Sequence, residues 1–224
     1  MTFDEQIEYS FQNPANREIA LTHSSFTNEV QLPLTECNER CEFLGDAVLE
    51  MVSTVYIFEK YPELLEGDMT KLRASIVCEP TLAKVARRLS LGSYLKLGKG
   101  EEQLGGAERD STLADLFEAV IGAIYLDGGY APAEQFVLRN LESEIEFMRH
   151  RFMLADSKTR LQEILQKKGK KEIEYSVISE KGPEHDKIFT VEVYCGSRPL
   201  GRGSGKNKKE AEQNAATEAL NSLR

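Results

Sequence analysis

Four carboxylates in two short stretches are the side chains of this sequence best placed to do chemistry. In residues 38–50, Asn-Glu-Arg-Cys-Glu-Phe-Leu-Gly-Asp-Ala-Val-Leu-Glu, a helix would bring Glu42 and Asp46 side by side one turn apart. Glu39 lies a turn before Glu42 on a neighbouring stripe. In residues 111–126, Asp115 and Glu118 are three apart on one face, among Leu113, Leu116, Phe117, Val120, Ile121 and Ile124. Acids bordered by that much apolar surface need a partner, and an oxygen-only donor set suits Mg²⁺ or Mn²⁺ better than Zn²⁺. One such helix alone would more often be a solvated acidic edge. Two of them point to the walls of a hard-cation site.

The elements that must position these acids can be outlined from pattern. Phe43, Leu44, Ala47, Val48, Met51, Val52 and Val55 give the first helix a broad apolar arc, expected to face a core. Gly45 in mid-helix costs about 1 kcal/mol against Ala, which implies that something packs close to it. The second helix is expected to be capped by Ser111 or Asp110 and stopped by Gly128-Gly129. From about residue 3 to 148 the breaks fall at Pro14, Pro33, Pro62, Gly92, Gly98, Gly105-Gly106 and Gly128-Gly129, and no alternating pattern persists. An all-α domain over residues 1–150 is expected, then a short connection at 149–156.

Residues 156–224 carry a different pattern, α-β-β-β-α. Ser157–Lys168 reads as a helix, and Ile173 to Ser179 and Ile188 to Cys195 alternate as strands. Pro199–Gly203 makes a third short strand. Asn207 and Glu210 form a capping box before a helix with an apolar face of Ala211, Ala215, Ala216, Ala219 and Leu220. Charge divides in the same place. Residues 1–155 hold 14 Lys and Arg against 26 Asp and Glu, a net of −12, while residues 156–224 hold 14 against 11, a net of +3. An acidic surface repels phosphates unless cations neutralise it, and a separate basic module can supply attraction.

Composition bounds the remaining classes. No apolar run is long enough to span a membrane, and the acidic start Met1-Thr-Phe-Asp-Glu resembles neither a secretory signal nor a transit peptide. Cys37, Cys41, Cys78 and Cys195 lack zinc-site spacing and are expected as free thiols in a reducing, cytoplasmic setting. Among three histidines, His23 is expected as a satisfied core residue and His150 as solvated. None is paired with a nucleophile, so triad chemistry is unsupported.

Asn38-Glu39-Arg40-x-Glu42-Phe43-Leu44-Gly45-Asp46 resembles the signature of bacterial ribonuclease III. Leu113-Ala114-Asp115-x-Phe117-Glu118-Ala119 followed by Gly122-Ala123-Ile124-Tyr125-Leu126-Asp127 is similar to that family's second catalytic helix. Thr22-His23-Ser24-Ser25, Glu66-Gly67-Asp68, Leu72-Arg73-Ala74 and Gly98-Lys99-Gly100-Glu101 follow in the family's order. Cys41 and Cys78 stand where the family more often has Leu and Asn. The C-terminal part resembles a double-stranded-RNA-binding domain, which reads A-form shape more than sequence.

The resemblance implies an Mg²⁺-dependent endoribonuclease, with Mn²⁺ substituting, that cuts double-stranded RNA into products with 5′-phosphate and 3′-hydroxyl ends. Ribosomal RNA precursors and other structured RNAs are the expected substrates. Glu42, Asp115 and Glu118 would hold metal, Asp46 and Glu118 would serve catalysis, and Glu39 and Glu66 would line the same cleft. Thr159, Gln162, Glu163 and Gln166 would face the minor groove, His185 would enter it from a loop, and Lys206, Lys208 and Lys209 would meet phosphates. A two-fold homodimer would match two identical sites to two antiparallel strands, with Phe43-Leu44 at the contact or in the core. Two rivals stay open here. One is a relative that binds duplex without cutting; the other is an all-helical nucleoside-triphosphate pyrophosphohydrolase, which leaves the C-terminal module without a purpose.

Overall fold

The computed structural model describes residues 2–167, 169, 172–183 and 187–223, with 152–156 described as backbone only. The chain divides into two compact units, Met1–Glu146 and Phe147–Arg224.

Among its described residues the first unit is built of helices. They are α1 (Phe3–Ile7), α2 (Pro14–Ala20), α3 (Ser24–Val30), α4 (Glu39–Lys60), α5 (Glu66–Ile76), α6 (Glu79–Arg88), α7 (Lys99–Gln103), α8 (Asp110–Gly128) and the first part of α9 (Tyr130–Lys167). The core forms around α8, whose Leu113, Leu116, Phe117, Val120, Ile121 and Ile124 are buried. Phe117 meets Phe136 of α9 with ring centroids 5.6 Å apart. Against α8 lie α2, α4 and α6. The helix starts at Asp110, after an Arg109 that offers no side-chain cap, and stops at Gly129, whose φ of 82° suits glycine. Just before that stop, Asp127 gathers the N-terminal segment. It accepts from Tyr9 Oη (2.7 Å), the backbone N–H of Gln12 and Asn13 (2.8 Å each) and Asn16 Nδ2 (3.2 Å).

Helix α4 buries a face rotated from the expected arc. Its core residues are Cys41, Gly45, Val48, Leu49, Val52, Ser53 and Ile57, whereas Phe43 is 81% and Met51 56% exposed. The actual contact stripe instead runs through the small residues that let α4 lie close to α8.

Helix α9 continues through residues 149–156, where a connection was expected. Neither glycine nor proline interrupts Arg-His-Arg-Phe-Met-Leu-Ala-Asp, and every residue in it is compatible with a helix interior.

In the second unit, the end of α9 is followed by β1 (Ile173–Lys181), β2 (Ile188–Cys195), β3 (Arg198–Gly205) and α10 (Lys208–Ser222). The strands form one antiparallel sheet in the order β1-β2-β3, with irregularities at Val177/Ser179 and Val193/Tyr194. Leu161 and Leu165 of α9, Val191 and Val193 of β2 and Ala211, Ala215, Ala216 and Ala219 of α10 make its core. A side chain on Gly201, Gly203 or Gly205 would collide with α10, so strand and helix touch backbone to backbone. At the start of α10 only half of the expected capping box forms. Asn207 Oδ1 accepts from Glu210 N–H (2.9 Å), but the Glu210 carboxylate reaches one residue further back, to Lys206 N–H (2.8 Å).

Candidate metal centre and nucleic-acid face

Two helices, α4 and α8, carry the acids to one place. One carboxylate oxygen from each of Glu42, Asp115 and Glu118 lies within 4.8 Å of the others, and all three side chains are half-buried. Their spacing on the helices fixes this. Glu42 and Asp46 share a stripe of α4, and Asp115 and Glu118 share a stripe of α8 that faces it. The crossing is close because Gly45 sits on the carbonyl of Glu118.

Electrostatics follow from the crowding. Burial first, then Asp115, Glu39 and Asp46, raises the pKa of Glu42. Burial and then Glu79 raise that of Asp115, against a lowering contribution from His23. Glu118 is pushed up to about 8 by burial, then by Asp46, Glu42 and Asp115. Burial and neighbouring carboxylates that raise the pKa of Glu42, Asp115 and Glu118 mark a site short of positive charge. An all-oxygen, half-buried donor set of this kind fits a hard divalent cation.

The expected outer acids separate. Glu39, exposed at the start of α4, is near enough to act on Glu42. Glu66 opens α5 instead and accepts from Thr70 Oγ1 (3.0 Å). It lines a cavity of about 300 Å³ with Thr54, Ile57, Phe58, Met69, Thr70 and Arg73, further along α4. Within one chain it does not join the cluster.

Two neighbours of the cluster went unread in the sequence. Glu79, in the first turn of α6, acts on Asp115 across the fold. The acid-proline pair Glu79-Pro80 marks a helix start but gives no hint of that approach. His23, expected as a satisfied core residue, is the N-cap of α3. Its Nδ1 accepts from Ser25 N–H (3.1 Å) and lies 2.8 Å from Ser25 Oγ, which accepts from Gly98 N–H (2.9 Å).

In the second unit Thr159, Gln162, Glu163 and Gln166 are all exposed along α9. Lys206, Lys208 and Lys209 are exposed around the N-terminus of α10, with Lys208 Nζ 3.7 Å from Glu180. His185 lies outside the described residues.

Residues 15–145 match the family model described as Ribonuclease-III-like. A Ribonuclease 3 from Symbiobacterium thermophilum is 49% identical over 216 residues, 96% of this chain and 91% of the relative. The chain belongs to the ribonuclease III family. A Ribonuclease 3 from Bacillus velezensis is also 49% identical, over 97% of this chain and 87% of that protein. As in a two-part family member, residues 157–223 match a second model, the double-stranded RNA binding motif. Among solved structures, the nuclease domain of ribonuclease III from Campylobacter jejuni aligns with a TM-score of 0.58 and 41% identity. It covers 63% of this chain and 94% of that one, and its description concerns flexibility in a region involved in dimer formation. No described helix is long and apolar enough to cross a membrane.

Proposed function

We propose that this ribonuclease III family chain is an endoribonuclease for double-stranded RNA, with Glu42, Asp115 and Glu118 holding Mg²⁺. The observation that carries the reading is the meeting of those three carboxylates at the α4–α8 crossing, in a chain that also matches a double-stranded RNA binding motif. When bound, the cation would supply Lewis acidity, which acidifies water and offsets charge on the phosphodiester. Mn²⁺ offers the same hard chemistry and is expected to substitute.

The chain's own residues do the rest. Glu118, whose carboxyl is pushed up to about 8 in this crowded setting, would hold the cation as its carboxylate together with Glu42 and Asp115. Asp46, one turn from Glu42, accepts a hydrogen bond from the attacking water and so orients it. Glu39 adds negative potential at the rim. One water is added across the P–O3′ bond: its oxygen joins phosphorus as that bond breaks, and its proton ends on the departing O3′, which leaves a 3′-hydroxyl on one product and a 5′-phosphate on the other. Lys206, Lys208 and Lys209 meet phosphates at the N-terminus of α10, where backbone N–H groups also point outward. Thr159, Gln162, Glu163 and Gln166 present groups suited to 2′-hydroxyls, and we keep His185 as a further contact.

A homodimer completes the reading, because each chain brings one cluster and a duplex has two strands. Phe43, exposed beside the cluster, is our candidate for the contact. The proposed setting is the cytoplasm, where the four free cysteines stay reduced, and the proposed substrates are ribosomal RNA precursors and other structured RNAs.

Incubating a long RNA duplex with the protein and Mg²⁺, then analysing product ends, tests the proposal. Short duplexes with 5′-phosphates are expected. Intact duplex, or 5′-hydroxyl ends, would overturn it.

A further inference from the structure

Gly45 and Gly122 face each other across the α4–α8 crossing. A Cβ on Gly45 would lie 3.0 Å from Gly122 N, and one on Gly122 would lie 3.1 Å from Gly45 N. Each would first strike a carbonyl oxygen, that of Glu118 in one case and that of Cys41 in the other. Neither obstacle is the tip of a flexible side chain, so neither can rotate away. The contact occurs at the level of the acids. Gly45 adjoins Asp46, Cys41 adjoins Glu42, and Glu118 is itself a member of the cluster.

We infer that the Gly45–Gly122 crossing sets the cation-size selectivity of the carboxylate site, favouring Mg²⁺ over larger divalent cations such as Ca²⁺. This rests on the metal-site reading proposed above. Oxygen ligands sit at about 2.0–2.1 Å from Mg²⁺ but about 2.3–2.6 Å from Ca²⁺, and Mg²⁺ tolerates less departure from ideal geometry. Glu42 is carried by one helix, Asp115 and Glu118 by the other, so the interhelical distance is also the distance across the site. A methyl group at either glycine has no free volume to enter and must push the helices apart. Widening the site in this way penalises the small, demanding cation more than the large, adaptable one.

The test is calorimetric titration of the full chain, without RNA, with Mg²⁺ and separately with Ca²⁺. Wild type, Gly122→Ala, Ala123→Val and Glu118→Gln are compared. Ala123 is buried in one apolar cluster with Cys41 of α4 and Ala119 of α8, so Ala123→Val wedges that cluster through side chains that can yield. In Gly122→Ala the Mg²⁺ dissociation constant is expected to rise about tenfold while that for Ca²⁺ moves less than about threefold, an effect the size of other outer-shell changes. Ala123→Val should shift the ratio the same way by less, and decides the matter if Gly122→Ala does not melt cooperatively. A Mg²⁺/Ca²⁺ ratio within about twofold of wild type in folded variants would overturn the inference, given that outer-shell effects are normally larger. Loss of cooperative melting in both would overturn it too, since the crossing would then serve folding alone. If Glu118→Gln titrates like wild type, the metal-site reading itself fails. If Glu118→Gln abolishes binding and the ratio does not move, only the selectivity inference fails.

Discussion

Glu118 stands in a crowded electrostatic environment, half-buried with three carboxylates beside it and a pKa raised to about 8. An acid with a folded pKa above its unfolded value binds its proton more tightly in the folded state. Its stabilising effect is therefore complete below the unfolded pKa and is lost as pH rises through about 8. In EDTA the melting temperature should fall as pH is raised from the ordinary carboxylate range towards 8, and Glu118→Gln should flatten that dependence. Thermal melts across pH check both. The same variant removes a ligand charge without changing side-chain size. Cleavage in Mg²⁺ should drop by about two orders of magnitude or more, while duplex affinity stays close to wild type, because the duplex contacts lie on another unit. A gel-shift paired with a cleavage time course on one duplex separates the two effects. Glu42, Asp46, Asp115 and Glu118 were legible because their partners sit three or four residues away on the same helix. Glu79 and His23 were not, since they come from distant segments that only the folded chain brings near Asp115. Phe43 was read as ambiguous between core and contact because its type says nothing about the direction in which the helix turns.

Helices whose periodicity is set by bulky residues were readable, as α8 illustrates, and so were the strands with alternating Val, Ile and Tyr. The face of α4 was misjudged because its packing relies on Gly45 and Cys41, and small residues leave little trace in a hydrophobic pattern. Likewise 149–156 is expected as a short connection between two patterns, although nothing in it breaks a helix. A loop contact such as the Asp127 clamp was invisible, since three of the groups it accepts from sit in residues 9–13 and the fourth on Asn16. The clamp ties the segment between α1 and α2 to the end of α8. Burial raises the pKa of Asp127, but the four hydrogen bonds together outweigh it and lower it overall, so its contribution is present above the unfolded pKa and is lost as pH falls. Asp127→Ala should destabilise the first unit by about 1–3 kcal/mol, as expected when several donors lose a charged acceptor. Denaturant unfolding at neutral pH measures that loss, and the difference from wild type should shrink in acid.

Across the whole chain the strongest asymmetry is charge, −12 in residues 1–155 and +3 in residues 156–224. Duplex binding should weaken steeply with salt. Replacing Lys206, Lys208 or Lys209 singly by Ala should lower the slope of log affinity against log salt by about one each. Binding isotherms at several KCl concentrations provide the slopes; a change confined to one RNA sequence would point to base contacts instead. The −12 front part has its own effect on the surrounding electrolyte. Its field draws counter-ions into a diffuse cloud that extends roughly 8–10 Å at ordinary ionic strength. Divalent ions are enriched there more than monovalent ones, because their energy in the same potential is doubled. Potassium competes for that cloud, so adding it dilutes the local Mg²⁺ that the carboxylates sample as well as loosening the grip on phosphates. Monovalent salt thus acts on this protein twice, once through the RNA and once through the ion atmosphere of its acidic half.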